Sequence, residues 1–170
     1  LLQDNCMNCE LPTPQEFNIM LGEPVLSPVE SVVSSELLKK LSNMSPDNRW
    51  LFWREEFKRC IRCYACRNVC PSCFCKRCFV EETEPQWLLP LPHWQDNLMF
   101  QITRTIHTAG RCSDCGGCDR ACPVGIPLRA FTRSMADVTY ELFNFKSGMD
   151  TNAKPLMTAY ELAEAEDLNK

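Results

Sequence analysis

Hydrophobic positions fall into short helical stripes separated by proline-rich or cysteine-rich stretches, with little of the alternation that marks strands. From Ser34 to Met44, Leu37, Leu41 and Met44 share one face, which predicts a short helix. Ser45-Pro46 reads as an N-cap followed by proline at the first helical position. The helix it opens carries Trp50, Trp53 and Phe57 at spacings of three and four and runs into Cys60. Residues 81–92, EETEPQWLLPLP, predict a proline-punctuated connection. A helix from about Trp94 to Thr108 follows, striped by Leu98, Ile102 and Ile106 and ended by Gly110. Pro127 opens the clearest helix, in which Leu128, Phe131, Met135, Val138, Leu142 and Phe145 repeat at alternating steps of three and four, with Gly148 as its stop. Thr158 and Glu161 form a capping-box pattern for a last short helix. Residues 1–33, with Pro12, Pro14, Pro24 and Pro28, read as an irregular arm. The stripes are core-facing or partner-facing surface.

Composition narrows the class. Of 170 residues, 45% are hydrophobic and 24% charged, enough for a small core and unlike a disordered chain. The formal charge of −4 argues against a general nucleic-acid or anionic-membrane binder. No apolar run approaches the roughly 18 residues of a membrane span. The chain starts at Leu1 with no charged-then-apolar leader, so the expectation is no signal peptide, a start inside a longer protein and a reducing, cytoplasmic setting.

Thirteen cysteines change the picture most. An odd number in a reducing compartment disfavours a disulfide framework. Cys60, Cys63, Cys66 and Cys70-Pro71 form one C-x2-C-x2-C-x3-C-P run, and Cys112, Cys115, Cys118 and Cys122-Pro123 form another. This is the bacterial [4Fe–4S] ligand pattern, whereas zinc sites use two C-x2-C pairs. The two-residue gaps let a curved loop aim three thiolates at three corners of one cube, while the fourth cysteine points to the other cluster. The expected ligands are therefore Cys60, Cys63, Cys66 and Cys122 for one cluster, and Cys112, Cys115, Cys118 and Cys70 for the other. Such crossed ligation makes the two runs one folding unit.

Five cysteines remain. Cys6-x2-Cys9 and Cys75-x2-Cys78 are two knuckles, enough for one tetrahedral zinc or a third [4Fe–4S] cluster. Cys73 is the alternative fourth ligand and otherwise an ordinary buried thiol. His93 and His107 are expected to be satisfied or solvent-facing, and Trp87 and Trp94 to shield cluster faces. Arg54, Lys58, Arg59, Arg62, Arg67, Lys76 and Arg77 face only Glu55 and Glu56 between residues 54 and 77. They read either as a docking surface for an acidic partner or as a solvated face balancing the thiolates. No paired-carboxylate site, nucleophile motif, phosphate loop or dinucleotide fingerprint is visible, so no catalytic residue is expected.

Cys60 and Cys112 lie 52 residues apart, with helical sequence before each run and after the second. That layout is mainly α and resembles the α-helical ferredoxin domain of the iron–sulfur subunits of succinate dehydrogenase and heterodisulfide reductase. The segments RCIRCYACRNVCPSCFCKRC and HTAGRCSDCGGCDRACPVGIPL are similar to the dicluster iron–sulfur β subunits of anaerobic hydrogenase, formate dehydrogenase and heterodisulfide reductase complexes, over about residues 50–146. The resemblance implies an electron-relay subunit that passes single electrons between a flavin or NAD(P)H module and a second redox centre. It also implies other subunits of that complex as partners. Nothing in the chain matches a flavin site. The expected organisation is an N-terminal arm at 1–45, a dicluster domain at 46–148 and a short helical C-terminal arm at 149–170. Two rival readings remain: a cluster that itself reduces a disulfide or sulfur compound, and a metal-stabilised nucleic-acid-binding module using Arg54 to Arg77.

Overall fold

The computed structural model describes residues 13, 16–24, 32–150, 152–154 and 156. Cys6, Cys9 and the Thr158–Glu161 pattern lie outside the described residues. The chain divides into two compact units, Leu1–Arg49 and Trp50–Lys170. The described elements are α1 (Val32–Ser42), α2 (Pro46–Lys58), α3 (Ala65–Asn68), a 3-10 turn (Phe79–Glu81), α4 (Trp94–Thr108), α5 (Gly117–Arg120) and α6 (Leu128–Phe143). The only β feature among the described residues is an isolated bridge between Thr83 and Gln86, so the fold is mainly α, as the sequence predicts. No helix among the described residues is long and apolar enough to cross a membrane.

In the first unit, α1 begins and ends two residues earlier than predicted, and Leu41 is buried. The Ser45 hydroxyl accepts the Asn48 N–H at 3.3 Å, which is the N-cap that the Ser-Pro pair predicts for α2.

The second unit is built on an aromatic cluster. Trp53 and Phe57, one turn apart on α2, stack with ring centres 5.7 Å apart, and Phe131 of α6 meets both edge-on at 4.8 and 5.3 Å. Trp50, in contrast, is about half exposed and lies edge-on to Trp94. Phe57 is fully buried (0% exposed), with Phe100, Ile126 and Leu128 beside it in the buried set. Truncating such a ring removes its transfer free energy and leaves a cavity. Phe57→Ala is therefore expected to cost about 3–5 kcal/mol in denaturant unfolding of the metal-loaded protein. A loss below about 1 kcal/mol would mean that this cluster is not the core.

Helix α4 has the predicted ends, but its inward face is not the predicted one. Ile106 is 44% exposed, whereas Asn97, Gln101, Arg104, Thr105 and Thr108 are buried with Leu98 and Phe100. Four of these polar residues recur at 97, 101, 104 and 108, a helical stripe of their own. Asn97 shows what they do. Its Nδ2 donates to the carbonyls of Phe57 (3.0 Å) and Cys60 (2.8 Å), and its Oδ1 accepts from Arg62 Nε (3.1 Å). Arg62 in turn donates to the carbonyls of Leu89 and Leu91, pinning the proline-rich connection.

Helix α6 is buried through Leu128, Ala130, Thr132 and Thr139. The later members of its apolar stripe turn outward, with Val138 43% and Leu142 70% exposed. It ends at Phe143, five residues before Gly148, because Asn144 takes the left-handed conformation (φ 48°, ψ 33°) and its N–H closes on Tyr140 O at 2.8 Å. Asparagine is the residue other than glycine that most readily fills this position.

Candidate metal centre

The two cysteine runs fold as copies of one another. In each, the third residue is left-handed, Arg62 at φ 54° and Asp114 at φ 55°. So is the fifth, Tyr64 at φ 59° and Gly116 at φ 68°. One helical turn follows, α3 in the first run and α5 in the second, closed by Val69 N–H to Ala65 O and Ala121 N–H to Gly117 O, both at 3.0 Å. The chain then turns at the fourth cysteine, through Cys73 N–H to Cys70 O (3.1 Å) and Gly125 N–H to Cys122 O (3.2 Å). Left-handed residues in such a loop turn successive N–H groups toward a common point, which suits an anionic centre. Three of the four are not glycine, so the curl is strained and must be held from outside.

The holding groups differ between the runs. In the first, buried Arg62 is fixed by Asn97 and also lies 3.5 Å from Asp96. In the second, Arg129 of α6 grips the Asp114 carboxylate with two bonds of 2.8 and 2.7 Å, while its own N–H donates to Asp119. Bidentate pairing of this kind is directional and charge-assisted. α3 packs against α5, and α5 against α6, so the loops are neighbours.

None of the eleven described cysteines is in a disulfide. Burial pushes the Cys60 thiol pKa up, and the sulfurs of Cys66, Cys122 and Cys63 push the same way. Burial also raises Cys112, with Asp114, Cys70 and Cys115 adding to it, and raises Cys118 to about 11, with Cys112 among its neighbours. Cys60, Cys63, Cys66 and Cys122 thus come together, and so do Cys112, Cys115, Cys118 and Cys70. Each group takes its fourth sulfur from the opposite run. Cys60, Cys112 and Cys118, pushed toward the neutral thiol, lose their protons to solvent when a metal displaces them, so loading releases protons.

A cavity opens among the first group, lined by Cys60, Cys63, Cys66 and Cys122 and walled by Tyr64 and Phe100. Cys66 accepts a hydrogen bond from Gln101 Nε2 (3.6 Å) and Cys122 one from the Ile126 N–H (3.4 Å). Donor set, cavity and N–H···S bonds fit an iron–sulfur cluster. Trp87 is 57% exposed and Trp94 lies against Trp50, and neither lines this cavity. Tyr64, Phe100, Ile126 and Leu128 take the shielding part instead.

Arg104 of α4 is the residue that the apolar pattern did not single out. It is 4% exposed, its Nε donates to Gln101 Oε1 (3.2 Å), and its Nη2 is buried without a partner. Burial opposes its charge, but the sulfurs of Cys66, Cys118, Cys73 and Cys70 outweigh that and hold its pKa above the ordinary value. Cys66 belongs to the first group and Cys118 and Cys70 to the second, so one buried cation serves the two.

The other expected site residues are split. Cys75 and Cys78 line a separate cleft together with Cys73, and Cys6 and Cys9 are outside the described residues. Cys73 donates its thiol hydrogen to Cys70, which raises the Cys73 pKa and lowers that of Cys70. Among the described residues, no three His, Cys, Asp or Glu side chains converge closely enough to hold a single metal ion. His93 precedes α4 and is exposed, whereas His107 borders the cleft. The basic stretch is largely paired: Arg54 and Lys58 with Glu55, Arg59 with Glu56, Arg67 with Glu81 and Arg77 with Glu82. The balancing carboxylates at 81 and 82 are distant in sequence from most of the cations.

Residues 56–126 match the 4Fe-4S dicluster domain. The chain is 35% identical over 147 residues to the F420-dependent formate dehydrogenase subunit beta of Methanocaldococcus jannaschii, covering 86% of this chain and 38% of that protein. It is 30% identical over 139 residues to the F420-dependent formate dehydrogenase 1 subunit beta of Methanococcus maripaludis, covering 76% of this chain and 34% of that protein. The chain therefore spans little more than a third of the length of these curated relatives.

Proposed function

We propose that this chain, whose residues 56–126 match the 4Fe-4S dicluster domain, carries two [4Fe–4S] clusters and is the electron-relay part of an oxidoreductase complex of formate dehydrogenase type. In this reading Cys60, Cys63, Cys66 and Cys122 hold one cluster and Cys112, Cys115, Cys118 and Cys70 hold the other. When bound, each cluster supplies a site that accepts and releases one electron. The chain's own residues fix the thiolates, exclude water through Tyr64, Phe100, Ile126 and Leu128, and set the local charge through Arg104. The observation that carries the reading is the pair of thiol groups that exchange their fourth members while sharing one buried guanidinium. Formate dehydrogenase is the setting favoured over hydrogenase or heterodisulfide reductase, because both relatives are formate dehydrogenase β subunits.

Two measurements test this. Crossed ligation predicts that Cys122→Ser removes the same electron paramagnetic resonance signal as Cys60→Ser, and Cys70→Ser the same signal as Cys112→Ser. Each variant should lose up to about four irons per chain. A Cys122→Ser protein that loses the signal of the Cys112 set instead would refute the exchange. The relay role predicts that the isolated, oxygen-protected chain takes up and returns one electron per cluster in a reductive titration but does not oxidise formate. Formate turnover by the chain alone would overturn it.

A further inference from the structure

The three cysteines of a further cleft take no part in the relay described above, although Arg104 borders that cleft. Its volume is about 340 Å³. Cys73, Cys75 and Cys78 line it together with Arg104, Arg111 and Lys76. Two guanidinium atoms there, Arg104 Nη2 and Arg111 Nε, are buried and have no hydrogen-bond partner. Arg104 as a whole is 4% exposed. A buried, unpaired guanidinium nitrogen is costly, and an anion in the cleft would satisfy it. Glu81, the carboxylate on the lining, is already engaged by Arg67 at 2.9 Å.

The three thiols and the unsatisfied cations point to one kind of occupant. A zinc ion binds sulfur at about 2.3 Å, which draws four sulfurs to within about 4 Å of each other and leaves no cavity. Here the three cysteines border an open volume, and no three ligand-type side chains among the described residues close on a single ion. Three thiols bordering one cavity beside unpaired cations suit a polynuclear, negatively charged group.

We propose that this cleft binds a third iron–sulfur cluster, with Cys73, Cys75 and Cys78 as thiolate ligands and the Arg104 and Arg111 guanidinium groups offsetting its charge. This rests on the relay reading and extends it, since Arg104 then touches the environment of all three centres. Cys78 is already held in place at the start of the 3-10 turn, where its sulfur accepts the Glu81 N–H. Cys73 becomes a ligand and not an idle thiol, and its hydrogen bond to Cys70 is lost when the metal displaces the thiol proton to solvent.

The test is metal and sulfide analysis of the full chain purified without oxygen, combined with electron paramagnetic resonance and Mössbauer spectra. Twelve irons and twelve acid-labile sulfides per chain, with no zinc, are expected. The combined Cys73→Ser, Cys75→Ser and Cys78→Ser variant should lose four of each and keep both signals of the eight-cysteine centres. Eight irons in the unaltered chain, with or without one zinc, overturns the third cluster and leaves the eight-cysteine reading standing. Fewer than eight, with Cys60→Ser and Cys112→Ser both silent, sinks the relay reading itself. The unaltered chain gives the primary answer, so a poorly folding variant does not rescue the proposal.

Discussion

Removing the iron under anaerobic chelation is expected to abolish the cooperative thermal transition of the Trp50–Lys170 unit and most of its helical circular dichroism. The reason lies in what the thiolates hold together. α3 and α5 are single turns of four residues, far too short to persist unaided. Arg62, Tyr64 and Asp114 sit in left-handed backbone at a cost of order 1–3 kcal/mol each, and the loop conformation that requires them has no other purpose than to present sulfurs and N–H groups. Loss of the clusters also strips Arg104 of the negative charge around it, and a buried ion that loses its partner costs roughly 3–5 kcal/mol. Whole domains are stable by only about 5–15 kcal/mol. The aromatic cluster of Trp53, Phe57 and Phe131 joins α2 to α6, so it could keep a collapsed, partly helical state, without fixed packing between the ligand loops. Calorimetry and near- and far-ultraviolet circular dichroism before and after iron removal decide the matter. A native-like spectrum with a sharp transition in the iron-free protein would show that the polypeptide, not the metal, specifies the fold.

Much of this architecture was legible in the residues because metal ligation imposes rigid spacing. The two C-x2-C-x2-C-x3-C-P runs, the Ser45-Pro46 start of α2 and both ends of α4 follow from local rules that tertiary context did not override. The inner face of α4 was not legible, for an identifiable reason. Hydrophobic periodicity assumes that a helix buries its apolar side against an apolar core. The neighbours of α4 are thiols, loop carbonyls and a charged centre, so Asn97, Gln101, Arg104 and Thr108 turn inward while Ile106 stays out. The polar stripe at steps of four, three and four was the signal available. The same blindness hid the part played by Arg62. A basic residue between two cysteines reads as surface charge, yet its three bonds to Asn97, Leu89 and Leu91 make it a buried strut of the first ligand loop. Sequence spacing brought Cys75 and Cys78 into view but could not show that Cys73 shares their cleft, because the turn after Cys70 sets that direction.

Arg104→Gln is expected to lower the midpoint potentials of both relay clusters. Reduction adds a negative charge to a cluster, and a nearby fixed cation stabilises that state, so removing the cation favours the oxidised form and moves the potential down. A unit charge about 7 Å away in surroundings of effective dielectric about 20 is worth roughly 2 kcal/mol. For a one-electron couple that is on the order of 100 mV, or roughly a fifty-fold change in the reduction equilibrium. Gln101 supplies the control on geometry. Its Oε1 takes the Arg104 Nε and its Nε2 donates to the Cys66 sulfur, so Arg104 also orients a hydrogen bond to a ligand of the first group. Arg104→Lys keeps the charge but cannot keep the planar fork, and should fall between the parent and Arg104→Gln. Gln101→Leu keeps the cation and removes the hydrogen bond to Cys66, so it should lower one potential and leave the other nearly in place. Redox titrations followed by electron paramagnetic resonance read all three variants against the parent. Potentials that stay within about 20 mV in Arg104→Gln, with both clusters retained, would mean that this buried guanidinium serves only to hold α4 in position, since a nearby unit charge should do several times more.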